Sequence, residues 1–458
     1  MISLDDRKAA FAVCTAASFL TPLMASSVNL ALPTISHEFA MDALSLSWVA
    51  TSFLLAAAMF LVPFGRLADI YGRKRIFAYG MLLFTLFSFL CGFASSGIIL
   101  IGLRAFQGLG GAMIFATGMA ILTSAYPAAE RGKVLGVNVA AVYTGLSVGP
   151  FVGGILTHAF GWRAIFYVNG LIGLLIALVV FWKLKSEWAD SRGERFDISG
   201  SFIYTISLTL LMIGFSKLPG SVGIWSVTAG LGGLFAFVLW ERRVPKPLVE
   251  ISLFARNIVF AFSNLAALIN YSATSAVTFL ISLYLQYVKG LDPQQAGIVL
   301  IAQPVMMALF SPVAGRLSDS VEPRILSSAG MGIISVMLAL ISFVGPETPI
   351  TLLVLCLLFL GFGFALFSSP NTNAVMSSVE KRLYGVASAT LGTMRLTGQM
   401  LSMGIVMVIF AVTMGGTRMT PEYYPSFLQS MRLAFVIFSV LCVVGVFASL
   451  ARGKVRVD

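Results

Sequence analysis

The sequence predicts an all-α integral membrane protein with fourteen transmembrane helices: two six-helix bundles and two further helices inserted between them. Three observations support this fold class. Of the 458 residues, 58% are apolar and 11% are charged, with a mean hydropathy of +0.94, whereas soluble domains are about 25% charged. Many apolar runs reach the roughly 20 residues that are needed to cross a bilayer. Part of the chain repeats at an offset of about 250 residues.

Fourteen apolar runs define the predicted spans. The first run is longer than the 7–15 apolar residues of a typical signal peptide, so we expect it to be retained as the first span. The first six spans are predicted at residues 9–32, 45–66, 76–95, 98–122, 133–157 and 163–183. The other eight are predicted at 198–216, 222–240, 257–287, 292–316, 324–344, 349–374, 384–412 and 425–450.

The basic residues between the spans predict the orientation. If the N-terminus is cytosolic, the cytosolic segments hold 23 of the 30 Lys and Arg residues and the outer loops hold four. Such an excess on one side is typical of cytosolic loops. The sequence therefore predicts a multi-pass protein of the plasma or inner membrane with both termini in the cytosol.

An internal repeat predicts how the spans are grouped. The string GRLADIYGRKR begins at Gly65 and GRLSD begins at Gly315. Three more pairs keep nearly this offset: Glu130 and Arg131 with Glu380 and Lys381, Gly149 with Gly398, and GLGGA from residue 108 with GFGFA from residue 361. Eight spans separate the two GRL strings, where two directly joined six-span halves would place six. The predicted domains are a six-helix bundle at 1–185, a linker with two extra helices at 186–250, and a six-helix bundle at 251–458.

The loop after the second span is a candidate gate. Glycines permit a tight turn and close helix approach, and Asp69 can accept hydrogen bonds from a helix N-terminus or pair with Arg73. Such a pair would hold one conformation closed. The alternative is a basic loop that serves membrane topology alone. The gate residues are predicted to be Gly65, Asp69, Gly72, Arg73 and Lys74, with Gly315 and Asp319 in the second half.

Arg104 lies about six residues, or ~9 Å, inside the fourth span. A guanidinium that faces lipid at this depth is costly, so we expect Arg104 and the nearby Gln107 to face the bundle interior. The small residues of RAFQGLGGA allow close helix packing. The alternative is an arginine that reaches the membrane surface, beside glycines that only pack helices.

The fifth span contains the string GLSVGPFVGG. A proline frees a backbone carbonyl and can kink a helix, and glycines leave room for a neighbouring helix. A moving helix interface needs such smooth contact, although glycine-rich packing alone is the alternative. The predicted hinge residues are Gly145, Gly149, Pro150, Gly153 and Gly154.

Taken in order, these motifs resemble those of the major facilitator superfamily and, within it, the fourteen-span drug:proton antiporters. Further matches are ALP at residues 31–33, WR with Asn169 in span 6, FD at 196–197, and LQ with Gly290 after span 9. The resemblance covers essentially the whole chain. It implies alternating access between two six-helix halves, with substrate bound near the midplane. It also implies that Asp69 and Arg73 belong to a cytosolic gate, that Arg104 handles protons, and that the glycines around Pro150 serve antiport.

The chain departs from this resemblance in the first span. Similar exporters carry an acidic residue there, in a pattern like LDxTxVNxALP, but this chain reads LMASSVNLALP with Met24 at that position. All 19 acidic residues fall in predicted loops, termini or span edges. A buried cation needs compensating charge or aromatic faces, so only aromatic residues are predicted to serve a cationic substrate.

Arg395 is predicted about 16 Å inside span 13, near the midplane. An arginine at this depth is a functional candidate, together with Arg104 and Gln107, as a handler of protons or of substrate charge. If Arg395 lines the cavity, the substrate is anionic, zwitterionic or neutral; the alternative is a structural arginine bonded to backbone carbonyls. The polar candidates for the cavity are Asn29, Asn138, Tyr143, Asn270, Tyr271 and Gln399.

The leading functional hypothesis is a secondary active transporter, specifically a proton-coupled exporter of drug-like or metabolite molecules. The alternative is an exporter or facilitator of organic anions or siderophore-like compounds that uses the buried arginines. A third hypothesis is a membrane receptor or scaffold that does not transport.

The sequence predicts no enzyme, because it lacks buried clusters of His and acidic residues. No cofactor or metal is predicted, since the four cysteines fall in apolar runs and no phosphate-binding GxxxxGK[ST] string occurs. The basic residues form no continuous face, so nucleic acid is not a predicted partner. The predicted partners are a small-molecule substrate, protons and the lipid bilayer, and the protein is predicted to be a monomer.

Overall fold

The structure is a computed structural model that describes residues 4–318, 320–380 and 383–453. Every regular element in these ranges is helical. The first six helices are α1 (Leu4–Phe39), α2 (Ala43–Tyr71), α3 (Arg73–Gly92), α4 (Gly97–Ala125), α5 (Ala128–Phe160) and α6 (Arg163–Lys183). The inserted pair is α7 (Ile198–Lys217) and α8 (Ser221–Glu241).

The remaining helices begin with the short α9 (Ile251–Arg256). They continue with α10 (Ile258–Thr274), α11 (Val277–Leu283), a π-helical segment (Tyr284–Val288), α12 (Pro293–Leu300), α13 (Ala302–Leu317) and α14 (Pro323–Ile341). The last are α15 (Ile350–Ser377), α16 (Tyr384–Thr413), a 3₁₀ turn (Pro421–Tyr423) and α17 (Tyr424–Ala451).

Fourteen helical units in the described chain are long and apolar enough to cross a membrane, which confirms the predicted number of spans. Helices α10 and α11 with the π-helical segment form one of these units, and α12 with α13 forms another. Because fourteen spans bring both chain ends to the same side, we name that side the terminal face and the opposite side the distal face.

Two of the spans are broken within their apolar runs, one between α10 and α11 and the other between α12 and α13. The backbone N–H of Ala276, between α10 and α11, donates to Ser402 Oγ of α16 at 2.9 Å. At the start of the next span, Asp292 and Gln295 form a capping box around Pro293. A side chain from another helix therefore satisfies a backbone group that the first break leaves without a helical partner.

The repeat found in the sequence is visible in the glycine contacts of the two bundles. A Cβ built on Gly108 of α4 would overlap the carbonyl oxygen of Phe53 in α2, and a Cβ on Gly361 of α15 would overlap that of Gln303 in α13. Likewise, Gly110 of α4 packs on α3 as Gly363 of α15 packs on α14. Helices α1–α6 and α10–α17 thus form two six-span bundles of the same design, here named the first and second halves.

Candidate functional site

Asp69 and Arg73 form an ion pair at the terminal face, where α2 ends and α3 begins. Arg73 Nε lies 2.8 Å from Asp69 Oδ1, and Arg73 Nη2 lies 2.7 Å from the same oxygen. Arg73 also pairs with Asp190 at 2.8 Å and donates to Ser124 of α4. Of the two roles considered for Asp69, the structure therefore has the pair with Arg73.

Glu187, in the segment after α6, caps the first turn of α3. Its Oε1 accepts the backbone N–H of Lys74 at 2.8 Å, and its Oε2 accepts that of Arg75 at 3.3 Å. Gly72 makes this approach possible, because its φ of 122° is unfavourable for other residues and a Cβ there would lie 2.5 Å from Glu187 Cδ. A carboxylate at a helix N-terminus is also favoured by the helix dipole.

Glu194 joins both ends of the inserted pair to the first half. It accepts from Arg66 of α2 and, at 2.8 Å, from Lys246 in the segment after α8. The hydrogen bond from Lys246, with that from Arg66, holds the pKa of the Glu194 carboxyl below its usual value despite some desolvation. In addition, Asp6 of α1 accepts the backbone N–H of Lys185 at 2.7 Å.

The sequence prediction missed Glu187, Asp190 and Glu194, although all three follow span 6 closely and are opposite in charge to the basic loop after span 2. The remaining predicted gate residues make simpler contacts. Gly65 has only Ala116 Cβ near its Cβ position, at 3.9 Å, and Gly315 has Ser369 Oγ at 2.9 Å. Asp319 lies outside the described residues.

Arg104 and Gln107 are buried together between α2, α3 and α4. Arg104 Nη1 donates to Gln107 Oε1 at 2.5 Å and its Nε donates to the carbonyl oxygen of Val49 at 3.2 Å. Gln107 Nε2 then donates to Ser88 Oγ at 2.6 Å. The guanidinium carbon lies 4.6 Å from the ring centroid of Phe53. The structure therefore places Arg104 inside the first half rather than against lipid.

The glycines of α5 allow it to pack directly on α1. A Cβ on Gly145 would overlap the carbonyl oxygen of Phe19, one on Gly149 would overlap Ser26 Oγ, and one on Gly153 would lie 2.7 Å from Ser27 Cα. Ser27 Oγ also donates to the Gly149 carbonyl oxygen at 2.8 Å. These three positions therefore hold α5 and α1 together within the first half.

Gly154 and Pro150 of α5 instead face α12 of the second half. A Cβ on Gly154 would lie 2.5 Å from the carbonyl oxygen of Pro293. A Cβ on Gly297 of α12 would lie 2.5 Å from the carbonyl oxygen of Pro150. Gly297 was not among the predicted residues, although it belongs to the same kind of contact.

Further bonds join the halves towards the distal face. Ser282 Oγ of α11 donates to the carbonyl oxygen of Asn29 in α1 at 2.8 Å. The backbone N–H of Ala43 donates to the carbonyl oxygen of Thr417 at 3.2 Å. His158 at the end of α5 lies 4.0 Å from Asp292 Oδ1. The two halves are thus closed against each other at the distal face.

Arg395 lies at the middle of the bundle, beside two tyrosines from different halves. Its guanidinium carbon is 5.2 Å from the ring centroid of Tyr271 in α10, and Tyr143 of α5 is its other polar neighbour. The Tyr143 hydroxyl of α5 shares a hydrogen bond with Ser368 of α15. Arg395 is only half-buried. We name Tyr143, Tyr271, Ser368 and Arg395 the central cluster.

The other predicted cavity residues have different surroundings. Asn29 and Gln399 are half-buried, whereas Asn138 and Asn270 are fully enclosed. Asn138 Nδ2 lies 3.2 Å from Met119 Sδ of α4, inside the first half. Asn270 has no hydrogen-bond partner for either amide atom within the described chain. The structure thus brings Tyr143 and Tyr271 to Arg395, and places Asn138 apart from them.

The site offers a cation, aromatic faces and hydroxyl groups to a bound molecule. A guanidinium with free donors can bind a carboxylate or another oxygen acceptor, and tyrosine rings can stack on planar groups. Met24 is fully buried in α1. Among the described residues, no group of three or more His, Cys, Asp or Glu side chains is arranged to hold a metal ion.

The family model described as the Major Facilitator Superfamily matches residues 14–403 and 263–456 of the chain. The riboflavin transporter RibZ of Clostridioides difficile (strain 630) is 29% identical over 427 residues, which are 93% of each chain. The cephamycin export protein CmcT of Amycolatopsis lactamdurans is 30% identical, covering 96% of this chain and 92% of its own. The multidrug resistance protein Stp of Mycobacterium tuberculosis (strain CDC 1551 / Oshkosh) is 32% identical, covering 87% and 75%.

Solved transporter structures share the fold, and two of them illustrate the likeness. A bacterial homologue of the human lysosomal transporter Spinster, in an inward-facing and unoccupied conformation, superposes with a TM-score of 0.71 at 17% identity and covers 98% of both chains. A peptide transporter POT in complex with alafosfalin gives a TM-score of 0.71 at 14% identity, covering 97% of this chain and 95% of its own.

Proposed function

The chain belongs to the Major Facilitator Superfamily of membrane transporters, and we propose that it is a proton-coupled exporter of drug-like or metabolite molecules that works by alternating access. It is a transporter and not an enzyme. The proposal places a monomer in the plasma or inner membrane with both termini, and therefore the terminal face, in the cytosol. It keeps the domain boundaries 1–185, 186–250 and 251–458.

The proposal of alternating access rests on the closed distal face. Helix α5 meets α12 there through backbone contacts at Gly154 and Gly297, while Arg395 and Gln399 remain half-buried deeper in the bundle. A transporter that is closed on one side and retains accessible polar groups at its centre has the arrangement of one state of the cycle. With a cytosolic terminal face, this state is inward-facing.

The names of the relatives support an export function. Stp is named a multidrug resistance protein and CmcT a cephamycin export protein. RibZ is named a riboflavin transporter. All three match the greater part of this chain, but their names differ in substrate. We therefore propose the class of drug-like or metabolite molecules rather than one compound.

Proton coupling is proposed from the resemblance to drug:proton antiporters and from the enclosed network of Arg104, Gln107 and Ser88. The chain has Met24 where a carboxylate is expected in similar exporters, so protons must be handled by another group. Arg104 is 1% exposed and is held by neutral oxygen atoms in the contacts described above. A buried positive charge favours proton release from an acidic group that comes near it.

Proteoliposomes test the coupling. Proteoliposomes that contain the purified protein are loaded with riboflavin as a neutral probe or ethidium as a cationic probe. Movement of the probe across the membrane is followed under an imposed pH gradient. We expect movement against the substrate gradient that stops when a protonophore collapses the pH gradient. Movement that only follows the substrate gradient, with or without protonophore, would identify a facilitator and exclude proton coupling. Protein-free liposomes report the leak of each probe.

Export or facilitated passage of organic anions is a second candidate, favoured by the surroundings of Arg395. This guanidinium is half-buried at mid-depth, and the groups described around it are tyrosine rings and hydroxyls rather than carboxylates. A buried charge is costly without a partner, and an anionic substrate would supply one. Charge-assisted hydrogen bonds from arginine to carboxylate are among the stronger ones in proteins.

Binding to the purified protein separates the two candidates. Fluorescein serves as the anionic probe, riboflavin as the neutral probe and ethidium as the cationic probe, each at two pH values. If the site takes anions, Arg395→Ala abolishes fluorescein binding and leaves riboflavin binding within a few-fold. Arg432→Ala is the matched control, because Arg432 is exposed in the same half with its guanidinium carbon 5.5 Å from the Phe343 ring centroid. Tighter binding of ethidium than of fluorescein would exclude this second candidate.

A further inference from the structure

The inserted helix α7 lies over the seam between α2 of the first half and α16 of the second half. On α2 it makes polar contacts, as Thr205 Oγ1 donates to the carbonyl oxygen of Met59 at 3.4 Å and Thr209 Oγ1 lies 3.4 Å from Met59 Sδ. The three helices also share one apolar cluster, whose buried members include Leu55 and Leu61 of α2, Leu208 and Met212 of α7, and Leu396, Met400 and Met407 of α16.

Near the distal face, α7 packs closely on α16 at Gly404. A Cβ built on Gly404 would lie 2.5 Å from Phe215 Cδ2 and 3.3 Å from Met212 Sδ. Helix α8 packs on the other side of α7, where the ring centroid of Phe237 lies 5.1 Å from that of Tyr204. The inserted pair therefore attaches to the transporter through α7, which covers this side of the seam against lipid.

Tyr204 is the point at which one α7 side chain reaches both halves. Its hydroxyl donates to the carbonyl oxygen of Ala58 in α2 at 3.2 Å. On the side of α16 it packs in the same apolar cluster as Leu396 and Met400, with the Thr397 side chain as its polar neighbour. The residue is 6% exposed. Ala58 and Thr397 both occupy the middle of their helices, so this contact lies at the level of the central cluster.

Thr397 connects this contact to Arg395. The two residues are two positions apart on α16 and point about 200° apart around the helix axis. Arg395 faces Tyr271 inside the second half, whereas Thr397 faces α7 on the opposite side. Tyr204 therefore contacts the turn of α16 that carries Arg395, on the side of the helix opposite to Arg395.

The segments that flank the inserted pair are bonded to the first half. Lys185 binds Asp6 of α1, and Glu194 binds both Arg66 of α2 and Lys246 after α8. These ion pairs and hydrogen bonds fasten both flanking segments to the first half. When the halves move, the contact of Tyr204 with Ala58 can be kept, and the contact with Thr397 is the one that must change.

We propose that Tyr204 is a positioning residue for transport: its hydroxyl aligns the Arg395 turn of α16 with α2 and favours the state in which the distal face is closed. The inference rests on the proposed transport function. The tyrosine touches no reacting group itself and acts through Thr397. Because α7 covers the seam at the same level, the alignment is protected from competition by water or lipid head groups.

The test compares Tyr204→Phe with the wild type in transport and in conformation. The substitution keeps the aromatic packing on Phe237 and removes only the hydroxyl. A net hydrogen bond corresponds to an about three- to tenfold change in an equilibrium constant. We expect the maximal rate of riboflavin or ethidium transport to fall by about that factor, with KM changed less than twofold.

Conformation is followed by the distance between spin labels at Phe160→Cys and Glu347→Cys. Both residues are exposed at the distal ends of different halves. The four native cysteines are buried, so we expect little labelling of them. We expect Tyr204→Phe to increase the long-distance population. A purely structural role would lower the melting temperature without changing this distribution.

Two further variants complete the test. Thr397→Val should reproduce the effect of Tyr204→Phe, and the double variant should be no worse than either single one. Thr209→Val is the matched control on α7. The described hydrogen bonds of Thr209 reach α2 and its own helix but not α16. If Tyr204→Phe matches the wild type in rate and in label distances, the inference is wrong. If the wild type itself moves no probe, the proposed function fails instead.

Discussion

Gly154 of α5 and Gly297 of α12 face each other's helix across the seam between the halves. A Cβ on Gly154 would lie 2.5 Å from the carbonyl oxygen of Pro293 in α12. A Cβ on Gly297 would lie 2.5 Å from the carbonyl oxygen of Pro150 in α5. Their contact brings two backbones together at the distal face without side chains between them. Closure at this face therefore depends on the absence of two Cβ atoms.

Gly154→Ala should open this contact. Overpacking a close interface costs about 1–3 kcal/mol, so we expect the equilibrium constant for distal closure to fall by about fivefold or more and the transport rate to fall with it. Spin labels at the distal face and transport in proteoliposomes measure the two effects. Gly136→Ala on the same helix is the control, because no atom of a neighbouring helix lies within 4 Å of its Cβ position. Equal behaviour of the two variants would contradict this account of closure.

Asp69→Asn should slow turnover several-fold while leaving membrane insertion normal. The substitution removes the charge that holds Arg73 Nε and Nη2, and it keeps the size of the side chain. Asp190→Asn should have a smaller effect, since Asp190 is 69% exposed and exposed ion pairs contribute little. Transport rate per inserted molecule is the measurement. Unchanged turnover in Asp69→Asn would show that the pair does not act as a gate.

Glu194→Gln should weaken the attachment of the inserted pair at neutral pH. The hydrogen bond from Lys246, followed by that from Arg66, lowers the pKa of Glu194 from its usual 4.5. A carboxyl whose pKa is lowered on folding stabilises the fold above its usual pKa, and this contribution is lost as the pH falls through the lowered value. The difference in melting temperature between wild type and variant should thus be constant between pH 5.5 and 8 and should vanish in stronger acid. A difference that changed between pH 5.5 and 8 would assign the effect to another group.

Gln107→Leu should destabilise the first half. The substitution removes the acceptor of Arg104 Nη1 and leaves that donor in a buried site. An unsatisfied buried donor costs about 1–3 kcal/mol, and more when it is charged. We expect a clearly lower melting temperature in detergent. Gln399→Leu, at a half-buried position in the second half, should leave the melting temperature nearly unchanged, and a similar loss in both variants would contradict the role of the buried network.

The spans were predictable because each apolar run meets the length of a bilayer on its own. Helix α6 has the predicted bounds of 163–183. The break between α10 and α11 was not predicted, since it depends on Ser402, which lies 126 positions away from Ala276 in the chain. Hydropathy records how apolar a segment is, but it does not record which distant hydroxyl will bind its backbone.

Site residues with an unusual local feature were easier to predict than those defined by a distant partner. Arg104 is exceptional in an apolar run, and the structure buries it. Glu187 and Glu194 are ordinary acidic residues in a polar segment, and only their approach to Arg75 and Arg66 gives them a role. Tyr204 is likewise one aromatic residue among many, because the sequence does not state which seam α7 covers.

The ion pairs that fasten both flanks of the inserted pair to the first half also determine where sliding must occur. If α7 and α8 travel as one body with α1–α6, then the moving surface on this side is the one between α7 and α16. That surface consists of apolar side chains around Gly404, with Thr397 as its polar point. Larger side chains introduced on either helix at this surface would slow the transport cycle. Larger side chains introduced between α7 and α2 would instead move together with the first half.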